Sequence, residues 1–317
     1  MKEITYLKAI NEAVDEEMAR DSSIFIIGED VGRAWGGGFG EFLGLYEKYG
    51  DERVRGTPIS ETAILGSAIG AAATGMRPIA NIMYADFMGV CGDEVMNQLL
   101  MRYAFGGTVK LPLTIMVSSG AGLGEGVHHT KSLQGWLITI PGLRIVTPAT
   151  AYDAKGLLKS AIREDNPVYF AYHKFLLMST ETTEIPEEEY IIPLGKADIK
   201  KEGSDVTVVA TELMVHRALA AAEKLQEKGI SIEVVDPRTW VPLDTQTILD
   251  SVRKTGRLVV MTEEGKTGSA AGEISAIVAE EAFDSLDAPI KRVCGPNTPV
   301  PACPVLEKRW MPDEEDL

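Results

Sequence analysis

Segments with strand character alternate with segments of helical character along almost the whole chain. The runs SIFIIGEDVG, RPIANIMYADF and LPLTIMVSSG have the short apolar pattern of buried strands, and the last two each follow a helical segment. A later stretch supplies a strand, a helix from about Ala151 and another strand. Alternating strands and helices are typical of parallel sheets that carry helices on both faces. The sequence therefore predicts the α/β fold class, with open, doubly wound sheets.

The alternation resumes after a polar, acidic segment, STETTEIPEEE, which contains Pro186. We interpret this segment as a linker between domains, although a surface hairpin has a similar composition. The pattern beyond it is strand, helix, strand, helix, strand. We therefore predict a larger domain over residues 1–185 and a smaller doubly wound domain over residues 186–317.

Charge and cysteine content restrict the class of protein. A formal net charge of −16 over 317 residues disfavours nucleic-acid binding, because neutralising phosphates requires a basic face. The three cysteines have no metal-ligand spacing and no paired framework, which is typical of a reducing compartment. The N-terminus is acidic from residue 3 and predicts no signal peptide, and the apolar runs are too short to predict a membrane span. We expect a cytoplasmic protein.

The stretch RGTPISETAILGSAIGAAATGMRP places a carboxylate at the head of an uncharged run of small residues. Glu61 precedes fifteen residues, 62–76, without a charge, so the start of this helix is predicted to be buried. Ser60 is a candidate N-cap, and an acid in the first turn complements the helix dipole. Gly66 and Gly70 form a G-x-x-x-G pair that lets another backbone approach. A buried carboxylate needs a partner, and a basic ring nitrogen of a ligand is one candidate.

Two glycine-rich loops do not fit known nucleotide fingerprints. SSGAGLGEGVHH and AWGGGFGEF match neither G-x-G-x-x-G nor a P-loop, which ends in Gly-Lys-Ser/Thr. They are either tight surface turns or segments that bring backbone close to a ligand.

Several long motifs in the same order resemble one family. IGEDVG, GTPISE, GVHHTKSLQGW, IPGLRIVTPATAYDAKGLLKSAIREDNPV and VDPRTWVPLD are similar to segments of the beta subunits of thiamine-diphosphate-dependent 2-oxo acid and acetoin dehydrogenases. The resemblance extends over essentially the whole chain. It implies a thiamine-diphosphate pyrimidine-binding (transketolase-like) domain followed by a transketolase C-terminal-like domain.

The resemblance implies roles for three residues around the cofactor. Glu61 occupies the place of the glutamate that bonds a pyrimidine ring nitrogen of thiamine diphosphate and so favours removal of the thiazolium proton. Phe87, in ADF, falls where the family packs a ring against the aminopyrimidine. Met83 lies near it on the same strand. Without the resemblance, Met83 and Phe87 would be interpreted as core residues.

The resemblance also assigns a histidine. His129 in GVHHTKSL matches the histidine that the family uses near the cofactor, where it implies proton donation or charge stabilisation during acyl transfer to lipoamide. The alternative is a structural loop histidine. This sequence departs from the usual pattern at His128, Thr130 and Lys131, so His128 is a candidate for sharing the pocket and Lys131 for affecting which anionic substrate fits.

Metal sites follow from the same comparison. The Mg²⁺ that accompanies thiamine diphosphate needs a GDG segment and a paired Asn, and CGDEVMNQ lacks the second glycine. The resemblance therefore assigns Mg²⁺ and the diphosphate to an alpha subunit. It also implies a potassium site, to which a tight helix-to-strand turn is the alternative, at six positions: Leu113, Thr114, Ala161, Ile162, Glu164 and Asn166.

The function implied is that of a beta subunit in an α₂β₂ heterotetramer that passes an acyl unit to a lipoyl acyltransferase core. The segment ADFMGVCGDEVMNQLLMRYAFGG is most similar to acetoin dehydrogenases, with pyruvate and branched-chain 2-oxo acid dehydrogenases close. Three alternatives remain at this point. They are the pyrimidine-side half of a split transketolase, a non-catalytic nucleotide- or flavin-binding module, and a structural scaffold.

Overall fold

The fold comes from a computed structural model that describes residues 1–32 and 35–317. The strands are β1 (Lys2–Thr5), β2 (Ile24–Glu29), β3 (Val54–Thr57), β4 (Arg77–Tyr84), β5 (Thr114–Ser119), β6 (Arg144–Val146), β7 (Val168–His173), β8 (Thr182–Ile185), β9 (Asp198–Lys201), β10 (Val206–Ala210), β11 (Ile232–Asp236), β12 (Thr239–Val241), β13 (Leu258–Gly265) and β14 (Lys291–Gly295). The helices are α1 (Tyr6–Arg20), α2 (Leu45–Tyr49), α3 (Glu61–Ala73), α4 (Gly92–Met96), α5 (Met101–Ala104), α6 (Gln134–Leu137), α7 (Ala151–Arg163), α8 (Lys174–Leu177), α9 (Leu213–Gln226), α10 (Thr245–Thr255), α11 (Ala270–Glu281) and α12 (Pro304–Trp310).

The chain forms two compact units, and each is made of two stretches of sequence. The first unit comprises Met1–Ser119 and Ile140–Leu194, and the second comprises Gly120–Thr139 and Gly195–Leu317. The predicted division at residue 185 differs from this in two places, at the segment predicted to be a linker and at the segment 120–139.

Hydrogen bonds explain why the predicted linker belongs to the first unit. Within it, β8 pairs antiparallel with β1, and the Ile185 side chain is fully buried. The Ile192 N–H then donates to the Gly156 carbonyl at 3.1 Å. Pairing with β1, at the other end of the chain, therefore holds this polar segment in the first unit.

The first unit contains a parallel sheet in which six strands are neighbours in the order β6-β7-β5-β4-β2-β3. Every residue of β5 and β7 is buried, as expected for strands with both faces covered. The strand predictions and the helix predicted from about Ala151 are confirmed. Thr5 also caps α1 as predicted, since its hydroxyl accepts from the Lys8 N–H at 3.3 Å.

The second unit contains a mixed sheet in the order β14-β13-β10-β11-β9. Its strands are parallel except β9, which lies antiparallel on β11. The predicted series of strand, helix, strand, helix, strand is confirmed by β10, α9, β11, α10 and β13. The edge strand β9 was not predicted, because its sequence DIKK is polar and only partly buried.

The carboxyl ends of the parallel strands position the candidate site. Strands β3, β2 and β4 are neighbours, so the ends of β2 and β4 and the turn from β3 into α3 lie at one edge of the sheet. Ligands of open α/β sheets bind outside this edge. None of the helices in the two described ranges combines the length and the apolar character needed to span a bilayer.

Candidate active site

Glu61 is the first residue of α3 and lies just beyond the carboxyl end of β3. It is only 8% exposed, as the uncharged run after it predicted. Its carboxylate makes no hydrogen bond and no ion pair with another described residue, so its acceptor positions are open to a ligand. Burying an ionised carboxylate without a partner is costly. The position therefore suits a ligand atom that shares a proton with Glu61.

The surroundings of Glu61 are negatively charged. Burial raises the pKa of Glu29, at the end of β2, and the charges of Asp30 and Glu61 raise it further. Burial likewise raises the pKa of the Cys91 thiol to about 12, with Glu94 and Glu61 contributing to the increase. Such a field favours a ligand group that is protonated or donates a hydrogen bond. A basic ring nitrogen, as in an aminopyrimidine, meets that requirement.

The start of α3 differs from the prediction in its capping. Ser60 precedes the helix, but its hydroxyl donates to the Pro58 carbonyl at 2.9 Å and caps no backbone N–H. Its backbone, with φ −170° and ψ 61°, turns the side chain to that local acceptor. Close packing on the glycine pair is also not seen within the chain. A Cβ on Gly70 would meet nothing within 4 Å, and one on Gly66 would meet the Glu94 side chain at 3.9 Å.

Met83 and Phe87 lie at the same edge of the sheet as Glu61. Met83 is near the end of β4, and Phe87 lies in the 3₁₀ turn that follows. Both are half-buried. The Cys91 Sγ contacts the Phe87 carbonyl at 3.6 Å, and Glu61 contributes to the raised thiol pKa, so Cys91 neighbours both predicted site residues. The structure thus brings Phe87 and Glu61 into one region.

His128 and His129 belong to the second unit. His128 ends a 3₁₀ turn and is exposed, whereas His129 is half-buried. The segment is folded back on itself. The Thr130 hydroxyl donates to the Gly126 carbonyl at 2.6 Å, and the Lys131 Nζ donates to the Val127 carbonyl at 2.7 Å.

Carboxylates that the sequence analysis missed hold the segment 120–139. Both oxygens of Glu307 accept from backbone N–H groups, those of Gly122 and Gly124, at 2.8 Å each. Glu263 accepts from Ala121 and Glu264 from Gly135. These bonds explain why the segment belongs to the second unit, and they favour the tight-turn interpretation of this glycine-rich loop. No sequence pattern indicated them, since the acids lie more than 120 residues away along the chain.

Three of the six predicted potassium positions, Ile162, Glu164 and Asn166, are engaged with arginines. Arg77 donates to the Ile162 carbonyl at 3.0 Å, and Arg102 donates to the Asn166 side-chain oxygen at 2.5 Å. The Asn166 amide in turn donates to Glu164 at 2.6 Å. Guanidinium groups repel a nearby cation, so these residues as arranged fit a potassium ion poorly. The potassium site stays a prediction, with the tight helix-to-strand turn as its alternative, and no step below depends on potassium.

The aspartate of the Gly-Asp pair in CGDEVMNQ forms hydrogen bonds with side chains four and five residues further along the chain. The Asp93 carboxylate accepts from the side chains of Asn97 at 2.7 Å and Gln98 at 3.0 Å. Both oxygens of Asp93 thus have partners on the same short stretch of chain. This arrangement stabilises α4 and its exit turn.

Comparisons with known proteins agree with the two-part fold. Residues 2–180 match the family model for the transketolase pyrimidine-binding domain, and residues 195–317 match that for the transketolase C-terminal domain. A solved structure described as a split gene transketolase, an inactive beta4 tetramer, superposes with a TM-score of 0.79 over 99% of this chain and 95% of that one. At 22% identity, that likeness concerns the fold alone.

Curated relatives identify the family. The chain is 48% identical to the beta subunit of acetoin:2,6-dichlorophenolindophenol oxidoreductase of Cupriavidus necator, over 98% of this chain and 94% of the relative. It is 45% identical to the 2-oxoisovalerate dehydrogenase beta subunit of Bacillus subtilis, over 98% and 95%. The pyruvate dehydrogenase E1 beta subunit of the same organism is 42% identical, over 100% and 97%. The chain belongs to the family of acetoin and 2-oxo acid dehydrogenase beta subunits. The resemblance found in its motifs is confirmed.

Proposed function

We propose that this chain is the beta subunit of a thiamine-diphosphate-dependent dehydrogenase component that cleaves acetoin or decarboxylates a 2-oxo acid. The observation that carries the proposal is Glu61, a nearly buried carboxylate with open acceptor positions at the carboxyl edge of a parallel sheet. Membership of the dehydrogenase family supports it, because the named relatives act on acetoin, 2-oxoisovalerate or pyruvate.

The residues at this edge have separate roles in the proposal. Thiamine diphosphate, when bound, supplies a nucleophilic carbon that attacks the substrate carbonyl and then stabilises negative charge. Glu61 would hydrogen-bond the basic ring nitrogen of the pyrimidine and so favour its protonation, and the burial of Glu61 strengthens that bond by excluding water. Met83 and Phe87 form an apolar wall against the ring. Glu29, whose pKa is raised, is a second acidic group close to Glu61.

His129 and Lys131 are proposed to act after the first chemical step. His129 donates a proton, or stabilises charge, as the acyl unit leaves for a lipoyl acceptor. His128 is the exposed neighbour and a candidate for the same pocket, while Lys131 affects which anionic substrate is accepted. These roles are supported by the positions of these residues in the family pattern.

The proposed active enzyme contains a second polypeptide. An alpha subunit supplies the diphosphate and Mg²⁺ half of the cofactor site, and two copies of each chain form an α₂β₂ heterotetramer. A lipoyl acyltransferase core receives the product, and the reaction takes place in the cytoplasm. The beta-subunit names of the relatives support the alpha partner.

The test uses the complex of this chain with its co-purifying alpha subunit. Reduction of 2,6-dichlorophenolindophenol is measured with acetoin, pyruvate and 2-oxoisovalerate, in the presence of thiamine diphosphate and Mg²⁺. We expect turnover with at least one substrate and a loss of about 100-fold or more in Glu61→Gln, because amide and carboxylate differ in proton affinity. His129→Gln should impair transfer to lipoamide more than reduction of the dye.

Other outcomes would point to the alternatives. Turnover of sugar phosphates but of none of the three substrates would support the split transketolase. Flavin absorbance in the purified complex, without thiamine diphosphate binding, would support the binding module. Full activity in Glu61→Gln would contradict the role of this carboxylate.

A further inference from the structure

A second buried carboxyl group, Glu41, takes no part in the mechanism above. It is fully buried in the first unit, within the glycine-rich segment 36–42. Burial raises its pKa, although its hydrogen bonds oppose the shift. A carboxyl group in such a position persists in the fold only if its bonds offset the cost of desolvation.

Three donors from different parts of the unit converge on Glu41. The Tyr172 hydroxyl donates to Oε1 at 2.8 Å, and the Asn81 amide donates to the same oxygen at 3.0 Å. The Phe39 backbone N–H donates to Oε2 at 3.0 Å. One oxygen therefore binds the sheet, through β4 and β7, and the other binds the glycine-rich loop.

The loop is shaped around this carboxyl group. Gly37 has φ +97°, a conformation that L side chains rarely adopt, and a Cβ there would lie 2.5 Å from the Glu41 carboxyl carbon. The ends of the turn are tied as well, since Gly37 N donates to Asp30 O at 2.8 Å and Phe42 N donates to Gly36 O at 2.6 Å. The segment 36–42 thus wraps a buried carboxyl group of its own chain.

The outer surface of this loop lies on the residues at the end of β4. A Cβ on Gly38 would be 3.0 Å from Met83 Cγ, so Gly38 and Met83 are in close contact. The Phe39 ring meets Tyr84 edge-on, with centroids 5.8 Å apart, and Tyr84 meets Phe87 in the same way at 5.6 Å. The loop therefore contacts Met83 directly and is linked to Phe87 through one intervening ring.

We propose that Glu41 is a positioning residue that holds the loop 36–40 against Met83 and Tyr84 and thereby fixes the apolar wall of the pyrimidine site. Glu41 does not touch the cofactor itself, because it is fully buried behind the loop. This inference rests on the proposed function. Of the two roles predicted for the glycine-rich AWGGGFGEF sequence, a tight surface turn or a segment that brings backbone close to a ligand, the proposal favours the latter.

Two conservative variants separate the loop contact from the core contacts. Glu41→Gln keeps one oxygen for Asn81 and Tyr172 but turns an NH₂ group toward the Phe39 N–H, so the loop is released. Tyr172→Phe removes one hydrogen bond to the same carboxyl group but leaves the Phe39 bond intact. Tyr172→Phe also removes the bond that its hydroxyl accepts from the Asn81 amide at 3.3 Å, so it should lower the thermal midpoint at least as much as Glu41→Gln.

The experiment measures the dissociation constant of thiamine diphosphate, with Mg²⁺, on the complex with the alpha subunit. We expect Glu41→Gln to weaken binding about tenfold, since it releases the loop and one hydrogen bond is worth about a factor of ten. Tyr172→Phe should weaken binding by less than about twofold, because the bond to Phe39 remains. The kcat at saturating cofactor should change little in either variant. Equal affinity in the two variants would overturn the proposal.

A further variant covers the case in which Glu41→Gln does not fold. Gly38 is exposed and its backbone is not in the left-handed region, so Gly38→Val leaves the core intact while pressing on Met83. It should also weaken cofactor binding several-fold, and unchanged affinity would contradict the proposed contact. Absence of thiamine diphosphate binding by the unmodified complex would instead refute the proposed function.

Discussion

Glu264 is a residue whose ionisation is expected to affect stability between pH 4.5 and 7. It is 8% exposed, accepts from the N–H groups of Gly135 at 2.7 Å and Ala270 at 2.9 Å, and its pKa is raised by burial to about 7. Its ordinary value is 4.5, so between pH 4.5 and 7 the folded chain retains a proton that the unfolded chain has lost. Stability should therefore fall as the pH rises through this window and level off above it.

The comparison of wild type with Glu264→Gln isolates this effect, because all other titrating groups are shared. Relative to the variant, the wild type should lose about 3 kcal/mol of unfolding free energy between pH 4.5 and pH 8. Urea unfolding followed by tryptophan fluorescence at several pH values measures the difference. Parallel pH profiles for the two proteins would show that Glu264 keeps its ordinary pKa.

The sequence predicted the burial of Glu61, but it did not predict the burial of Glu41, which is held by hydrogen bonds to distant residues. Glu61 could be predicted because the evidence for its burial is the uncharged run directly after it. Glu41 could not, since its partners Asn81 and Tyr172 lie 40 and 131 residues away. The cap at Ser60 was predicted wrongly, because residue preference does not reveal that Pro58 offers a competing carbonyl.

Helices α1 and α7 are joined through Glu17, a buried carboxylate whose arginine partners are partly exposed. The Glu17 side chain is 1% exposed and accepts from Arg163 Nη2 at 2.6 Å and from Arg20 Nε at 2.8 Å. Arg163 also pairs with Glu189, whose side chain is 61% exposed. Removing one member of a buried pair leaves an uncompensated charge, whereas removing an exposed member changes little.

We expect Glu17→Gln to destabilise the chain by about 2 kcal/mol, because Arg163 and Arg20, which are themselves partly exposed, lose the charge-assisted bonds to their common buried carboxylate. Glu189→Gln is the matched control, since it removes a partner of the same arginine from an exposed position and should have a much smaller effect. Chemical denaturation of both variants provides the measurement. Similar losses in the two would mean that burial of Glu17 adds nothing to its ion pairs.

Helices and strands with a local apolar pattern were predicted from the sequence. Polar strands that form only by pairing with another strand were not. Helix α1 has an apolar face and a Thr5 cap, and β5 contains the apolar run Ile-Met-Val, so each is evident locally. Strands β8 and β9 have the polar sequences TTEI and DIKK and exist because β1 and β11 offer edges for pairing. A polar edge strand carries little sequence evidence, since one face and one edge remain in water.

At the scale of the molecule, the two α/β units and the family were predicted from motifs that extend over the whole chain. The assignment of the segment 120–139 was not, because it depends on acids of the second unit, Glu263, Glu264 and Glu307, binding distant backbone amides. Sequence order alone places that segment in the middle of the first unit. Its position determines the unit to which His129 belongs.

We expect thiamine diphosphate to bind this chain only when a second subunit is present. Under the proposed function this chain contributes the pyrimidine side of the site, and its Gly-Asp segment has both Asp93 oxygens engaged with Asn97 and Gln98. Thiamine diphosphate with Mg²⁺ should therefore leave the thermal midpoint of the isolated chain unchanged. On the complex with the alpha subunit, a concentration about 100 times the dissociation constant should stabilise by about 2.7 kcal/mol, and Glu61→Gln should reduce that gain. Differential scanning fluorimetry of the three samples measures the shifts, and an equal rise in the isolated chain would mean that it holds the whole cofactor by itself.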